Sequence, residues 1–437
     1  MHRTLYRTTT VVAVGAIAAI TLASCAGGGG SADVDTEFDT DSSAEITFAW
    51  WGNDERADRF YAALDLFNEE YPNVEVVRNF NAWGDYWTSR NTEAAGRSLP
   101  DVFMMDAGYL GEYADKGLFR DMAPLRDSIL PLDGFDEAVL GSGTIDDELV
   151  GVPLGTNAWS MMYNKDVLDG LGLEYPTDDM DQDDLKDYIR TVSEAGGSVD
   201  PAIYGADDPS GSLPGFIYQR MQTGDDTFDE NGGPAFDEQD VIDYLDSMSE
   251  LRDDGLLYPI DRAVALSPVG GFLSNETALW FNFSTTVAQA MSDTGTENIG
   301  LVAPPMAAGS DERVLAGKPS MLLSIAENSE QPAAAAALVE FLATSPEVAE
   351  IFGTSLGAPP TEAGREAVPA SAASDADLGY LSSVEDQMTE SWPILPAGYG
   401  TIEAKWTELH EQLRYGQLTT EQFATELFTE MSLVLGS

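Results

Sequence analysis

The chain has 437 residues, 76 of them acidic and 21 basic, for a formal net charge of −55. Such a surface repels phosphates and anionic headgroups, which excludes nucleic-acid binding and docking on anionic lipid through a basic patch. Hydrophobic residues at 43% fit a folded chain, and the length suits two or three domains rather than one core. The acids are spread along the whole sequence, the pattern of a solvated surface rather than of a cation site.

His2, Arg3 and Arg7 open the chain, and an apolar run follows over residues 11–23, too short to span a bilayer. It ends in Leu22-Ala23-Ser24-Cys25, which resembles the bacterial lipobox. That resemblance implies a signal peptide over 1–24 and a diacylglyceryl and palmitate anchor on Cys25. An ordinary signal peptide beside a chance cysteine is the competing reading. Cys25 is the single cysteine, so no internal disulfide can form. Residues 25–43 then read as a lipidated flexible tether, four glycines followed by dispersed acids. A Gly-rich coil of that length reaches about 25 Å. The expected location is the extracytoplasmic face of a membrane, held by the lipid.

The folded body opens with an apolar β-rich run at 45–51, the pattern of a buried strand. An amphipathic helix follows, with Phe60, Leu64, Phe67 and Tyr71 on one face and Pro72 as its stop. Residues 74–80 predict a second strand, 85–95 a second helix and 101–105 a third strand. This alternation predicts an α/β fold with a parallel, doubly wound sheet, whose ligands sit beyond the carboxyl ends of the strands. Residues 149–154 and 158–163 predict further strands, 164–171 a helix, and 237–251 a single helix with Val241, Tyr244, Leu245, Met248 and Leu251 on one face. Strand character returns at 277–283, 298–303 and 320–325. The rest is helical, with breaks at Pro393 and Pro396. Thr419 and Gln422 form a capping box, with Leu418 and Phe423 as its hydrophobic staple.

Five stretches carry a family likeness: residues 50–76, 96–106, 149–173, 272–285 and 317–325. With the lipobox upstream, the chain resembles the extracellular solute-binding proteins of family 1, the maltose-binding-protein-like group. The resemblance implies a two-lobe periplasmic-binding-protein-like fold with a hinge and an interlobe ligand cleft. Lobe 1 would comprise 44–154 and 319–355, and lobe 2 would comprise 155–318 and 356–437. The chain would cross between lobes near 153–156, 318–319 and 356–360. The implied role is the carbohydrate-binding subunit of an ABC transporter, a monomer that closes on an oligosaccharide and delivers it to the permease subunits.

A sugar cleft needs aromatic faces for the C–H side of a pyranose and planar polar groups for its hydroxyls. Trp51, Asn53, Arg56, Trp83, Asp85, Asp106 and Tyr109 supply both from strand ends of the first lobe. Asn157 and Trp159 lie just past the first crossing. Phe283 stands where relatives often carry tryptophan, and Trp392 and Tyr399 face the cleft in relatives. Core packing is the competing reading for each ring, and it is preferred for Trp50, Trp87, Trp280 and Trp406. Asp85 and Asp106 also suit helix N-termini. No nucleophile elbow, phosphate loop, metal-binding motif or C-x-x-C is present, so neither catalysis nor a metal or cofactor is expected. His410 reads as an ordinary helix residue. A secreted glycoside hydrolase with paired carboxylates, or a binder of another small polar solute, remains the alternative.

Overall fold

The computed structural model describes residues 38–435 except 136, 230, 231, 268, 309, 311 and 312. The expected signal peptide, Cys25 and most of the expected tether lie outside the described residues. Among these residues, no helix is long and apolar enough to cross a membrane.

Strand β1 (Ala44–Trp51) pairs parallel with β2 (Val74–Asn81), from Ala44 opposite Val74 to Trp51 opposite Asn81. Strand β3 (Val102–Met105) flanks β1 on its other side, also parallel. Helix α1 (Asp54–Glu70) joins β1 to β2. Asn53 caps it, its side-chain oxygen accepting from the Arg56 amide at 2.9 Å, and Asp54 and Glu55 favour the positive end of the dipole. Its buried stripe, Phe60, Leu64 and Phe67, is the one the spacing predicts. Helix α2 (Trp83–Gly96) joins β2 to β3 and starts two residues before the expected point. Helix α3 (Ala107–Asp115) follows β3.

A two-residue ladder, β4 (Thr144–Ile145) with β5 (Glu148–Leu149), precedes β6 (Val152–Asn157) and β7 (Trp159–Asn164). A second, three-stranded sheet places β7 between β8 (Leu279–Phe283) and β9 (Ile299–Val302), all antiparallel. The first sheet is completed by β10 (Ala316–Ile325) and a short β11 (Glu390–Ser391). β10 runs antiparallel to β3 and to β6, so the parallel arrangement read from the alternation holds for β1–β3 and otherwise returns in this sheet only at the short β10–β11 pair.

The three segments expected to cross between lobes lie side by side. Lys318 pairs with Asn157 and Pro319 with Thr156. Thr156 exchanges backbone bonds with Ala358 at 2.8 and 2.9 Å. The Ser320 hydroxyl donates to the Gly155 carbonyl at 3.1 Å and also reaches the Leu356 carbonyl. A Cβ on Gly155 would fall 2.1 Å from the Leu356 oxygen, so the strands approach to a distance that only glycine permits.

The single helix expected over 237–251 is two, Glu238–Asp246 and Ser249–Asp253. The Ser247 hydroxyl turns back to the Tyr244 carbonyl at 2.6 Å, and Met248 leaves helical geometry. The apolar face survives the bend, since Val241, Tyr244, Leu245, Met248 and Leu251 are all buried. The capping box is as expected: the Thr419 amide donates to Gln422 Oε1 at 2.9 Å, and the Gln422 amide to Thr419 Oγ1 at 3.3 Å. Leu418 and Phe423 pack into the same core.

Candidate functional site

The carboxyl ends of β1, β2 and β3 deliver one aromatic wall. Trp51, the last residue of β1, is 6% exposed and meets Trp83, Tyr86 and Trp87 at centroid distances of 5.1, 5.2 and 5.9 Å. Trp87 stacks on Tyr109 at 3.6 Å, nearly parallel. Trp83 is the outer ring of this group and is 46% exposed. Its three ring neighbours, Trp51, Trp87 and Tyr109, meet it at angles of 84°, 75° and 65°, none in a stack. Tyr109 is aimed by Asp106, which caps α3 by accepting from the Gly108 amide at 2.8 Å. Burial and the neighbouring Asp106 and Glu112 raise the Tyr109 phenol above its ordinary range.

A second group of rings forms on β7 and β8. Their register sets Trp159 opposite Phe283, with centroids 4.9 Å apart, and Trp392 meets Phe283 at 5.4 Å. Lys318, on β10, holds its ammonium 4.9 Å over the Phe283 ring. Beyond a 3.3 Å bond to its neighbour's Pro319 carbonyl, that ammonium has no hydrogen bond and no ion pair among the described residues. Burial pushes its pKa down, and the fields of Asp106 and Glu403 oppose the shift. Glu403 shifts up, first because it is buried, with Lys318 pulling it down and Asp106 pushing it up. Asp106 thus caps the helix of Tyr109 and acts on Lys318 through its field.

Arg56 and Asn157 meet elsewhere. Both line a cavity of about 560 Å³ with Arg59, Thr285, Ser320 and Ser371. Asn53 and Asp85 are exposed, the first as the α1 cap and the second in the first turn of α2. Trp159, Trp392 and Tyr399 differ from the half-exposed cleft rings expected. Trp159 is 6% exposed, and its carbonyl accepts the Tyr380 hydroxyl at 2.5 Å. Trp392, 3% exposed, and Tyr399 sit in a core with Leu395, Ile402 and Trp406. The proline-rich break that suggested a loop edge folds inward because its neighbours Leu395 and Tyr399 are apolar enough to be buried with it.

Comparison with known proteins decides the family. The profile of the bacterial extracellular solute-binding proteins matches residues 62–378, well over half of the chain. The chain belongs to this family. A structure from Alicyclobacillus acidocaldarius, an extracellular solute-binding protein of family 1, superposes on the solute-binding protein described here with a TM-score of 0.76 at 23% identity, covering 91% of this chain and 99% of that one. A periplasmic oligogalacturonide-binding protein from Yersinia enterocolitica gives 0.74 at 20% identity, covering 90% and 99%. These establish the two-lobe periplasmic-binding fold. In sequence, an arabinooligosaccharide-binding protein of Halalkalibacterium halodurans is 24% identical over 257 residues, 58% of this chain and 54% of that protein. The chain thus matches about half the length of that relative. The family and these relatives are binding proteins rather than enzymes.

Within this solute-binding protein, Lys318, Glu403 and Trp87 join the site without having been expected there. Lys318 carried a signal: a cation inside an apolar strand of so acidic a chain needs a reason. Trp87 was read as core from its helical spacing, and it is buried, yet it also backs Tyr109 and Trp83. His410 is buried, not peripheral. Its Nε2 lies 3.3 Å from Asp208 Oδ2 and 3.5 Å from the Ser210 hydroxyl, while Ser210 itself donates to Asp208 at 2.7 Å. A hydroxyl tied to the carboxylate in this way is an ion-pair cluster, not a nucleophile with its base. Among the described residues, no group of three or more His, Cys, Asp or Glu side chains could hold a metal ion.

Proposed function

We propose that this chain is the carbohydrate-capturing subunit of an ABC importer, taking an oligosaccharide between its two lobes and handing it to permease subunits. Trp83 carries the reading: a tryptophan nearly half exposed, propped by three rings that leave it unstacked. An indole held that way offers an apolar face to the C–H side of a sugar ring. The Lys318 ammonium and the orphaned Asn157 oxygen supply the donor and the acceptor that hydroxyls need. Lobe 1 is taken as 44–154 with 319–355, and lobe 2 as 155–318 with 356–437. The close crossing at Thr156, Pro319 and Ala358 suits a bending hinge. Ligand touching both lobes stabilises the closed form by its differential affinity. The protein acts as a monomer and catalyses nothing. A glycoside hydrolase would turn over a labelled oligosaccharide, and none should be consumed.

A thermal-shift screen of oligosaccharides identifies the ligand, since binding to the native state alone raises its stability. With that ligand, Trp83→Ala should weaken binding by about 1–4 kcal/mol in titration calorimetry, the range of interface hot spots. Unchanged affinity would remove the carbohydrate reading of this wall. The parallel truncations of Trp51, Trp159 and Trp392 are poor probes, because those rings are buried and their loss also destabilises the fold.

The lipobox-like run Leu22–Cys25 supports an anchor on the outer face of a membrane through Cys25. Cys25→Ala should abolish acylation and shed the chain or leave it uncleaved. Lipidated protein from that variant, recovered in the detergent phase, would contradict the anchor.

A further inference from the structure

Among the described residues every arginine but one has its guanidinium hydrogen-bonded to a carboxylate or a backbone carbonyl. The exception is Arg56. In a chain with 76 acidic residues a cation without a partner is not a matter of supply. Its position is built. Arg56 lies in the first turn of α1 and folds back across Gly52, where a Cβ would stand 2.6 Å from Arg56 Cδ. Glycine at 52 therefore makes the room the side chain occupies.

Arg56 lines the cavity of about 560 Å³ with Arg59 at its side. Arg59 is neutralised by Glu55 at 2.7 Å and donates to the Phe352 carbonyl, so the uncompensated charge is that of Arg56. Burial and the like charge of Arg59 both press the Arg56 pKa down, a tension that an anion in the cavity relieves. Asn157 lines the same cavity and is 5% exposed. Its Nδ2 points at Thr285 Oγ1, 3.5 Å away, and its Oδ1 is buried with no hydrogen-bond partner. A buried carbonyl oxygen left unpaired is destabilising, and a ligand hydroxyl would satisfy it. The one acid on this lining, Glu350, is exposed. The cavity therefore presents a free guanidinium, a fork of donors suited to a carboxylate, and a free acceptor that calls for an O–H. The long-range field of a chain this acidic is screened beyond about 8 Å at physiological salt, whereas a carboxylate seated here touches Arg56 directly.

We infer that this cavity is the subsite for a uronic acid unit of the ligand, its carboxylate on Arg56 and a ring hydroxyl on Asn157. The inference rests on the carbohydrate reading above. Calorimetry on the full chain should compare digalacturonic acid, its methyl ester, a neutral disaccharide and inorganic phosphate. The acid should bind at least tenfold more tightly than the ester, and the advantage should shrink as salt rises. Arg56→Met should abolish the advantage, bringing acid and ester to equal affinity. Arg56→Lys, which keeps the charge without the fork, should retain part of it. Equal affinity for acid and ester, or a preference that survives in Arg56→Met, overturns the inference. Phosphate bound as tightly as the acid overturns the uronate as the source of the anion. If neutral sugars bind and the acid gains nothing, this subsite alone falls. If no sugar binds, the carbohydrate reading falls and takes the subsite with it.

Discussion

Arg252→Met is expected to destabilise the protein by about 3–5 kcal/mol, the cost of leaving a buried charge without its partner. That charge is Asp208, whose side chain is fully buried. Its carboxylate accepts from Arg252 Nη1 at 2.8 Å, from the Ser210 hydroxyl at 2.7 Å and from the Ser210 amide at 3.0 Å, with His410 Nε2 at 3.3 Å. Burial by itself would raise the Asp208 pKa, but His410, Arg252 and Ser210 more than offset it and hold the carboxyl well below the usual range. Because the folded value is depressed, the stabilisation is fully present above the unfolded carboxylate pKa and is lost as pH falls through the folded one. Urea denaturation at pH 7 measures the loss. Adding Asp208→Asn to Arg252→Met should recover part of the stability, since the double variant buries no charge. A single variant within about 1 kcal/mol of the parent would show that the cluster is not what ties the helix bearing His410 to residues 208–252.

Asp377→Asn is expected to act in the opposite direction and stabilise the protein at neutral pH. Asp377 is buried on the helix Ala372–Val384, and burial pushes its carboxyl up to about 6, opposed in part by Ser284. In the unfolded chain the group titrates near its ordinary value, about 3.9. Between those two values the native state holds more protons, so stability falls as pH rises from about 4 to about 6, by about 3 kcal/mol in total. The amide keeps the shape and has nothing to ionise. It should flatten that slope, leave stability at pH 4 little changed, and gain about 1–3 kcal/mol at pH 7. Chemical denaturation across pH 4–7 is the measurement, and parallel curves for the two proteins would rule the account out.

Local signals were legible and long-range ones were not. Asp106, Thr419 and Gln422 announce helix starts through side chains that bond amides two or three residues away, a range that sequence displays directly. The apolar stripe of α1 and the strand-end rings Trp51, Trp83 and Tyr109 follow from the same short periods. Trp392 shows the limit. Its contact with Phe283 joins residues over a hundred positions apart, and its proline neighbours suggested a surface loop. Lys318 was visible only as part of a crossing. Its place over Phe283, in the fields of Asp106 and Glu403, depends on three segments folding together. Ser247 breaks a helix whose apolar spacing runs on undisturbed, so the spacing could not reveal the break.

The place of β10 in the first sheet bears on how the chain comes to be folded. β10 lies between β3 and β6, hydrogen-bonded to both, and arrives about two hundred residues after β3. Until residue 325 has been made, β3 and β6 each present an unpaired edge and the sheet has no centre. Closing so long a loop before any contact rewards it is slow. A nascent chain short of that point lacks the strand that joins β3 to β6, so the first sheet is completed only when most of the polypeptide is available. Completion of the first sheet therefore comes late, after the strands of the second sheet have all been made.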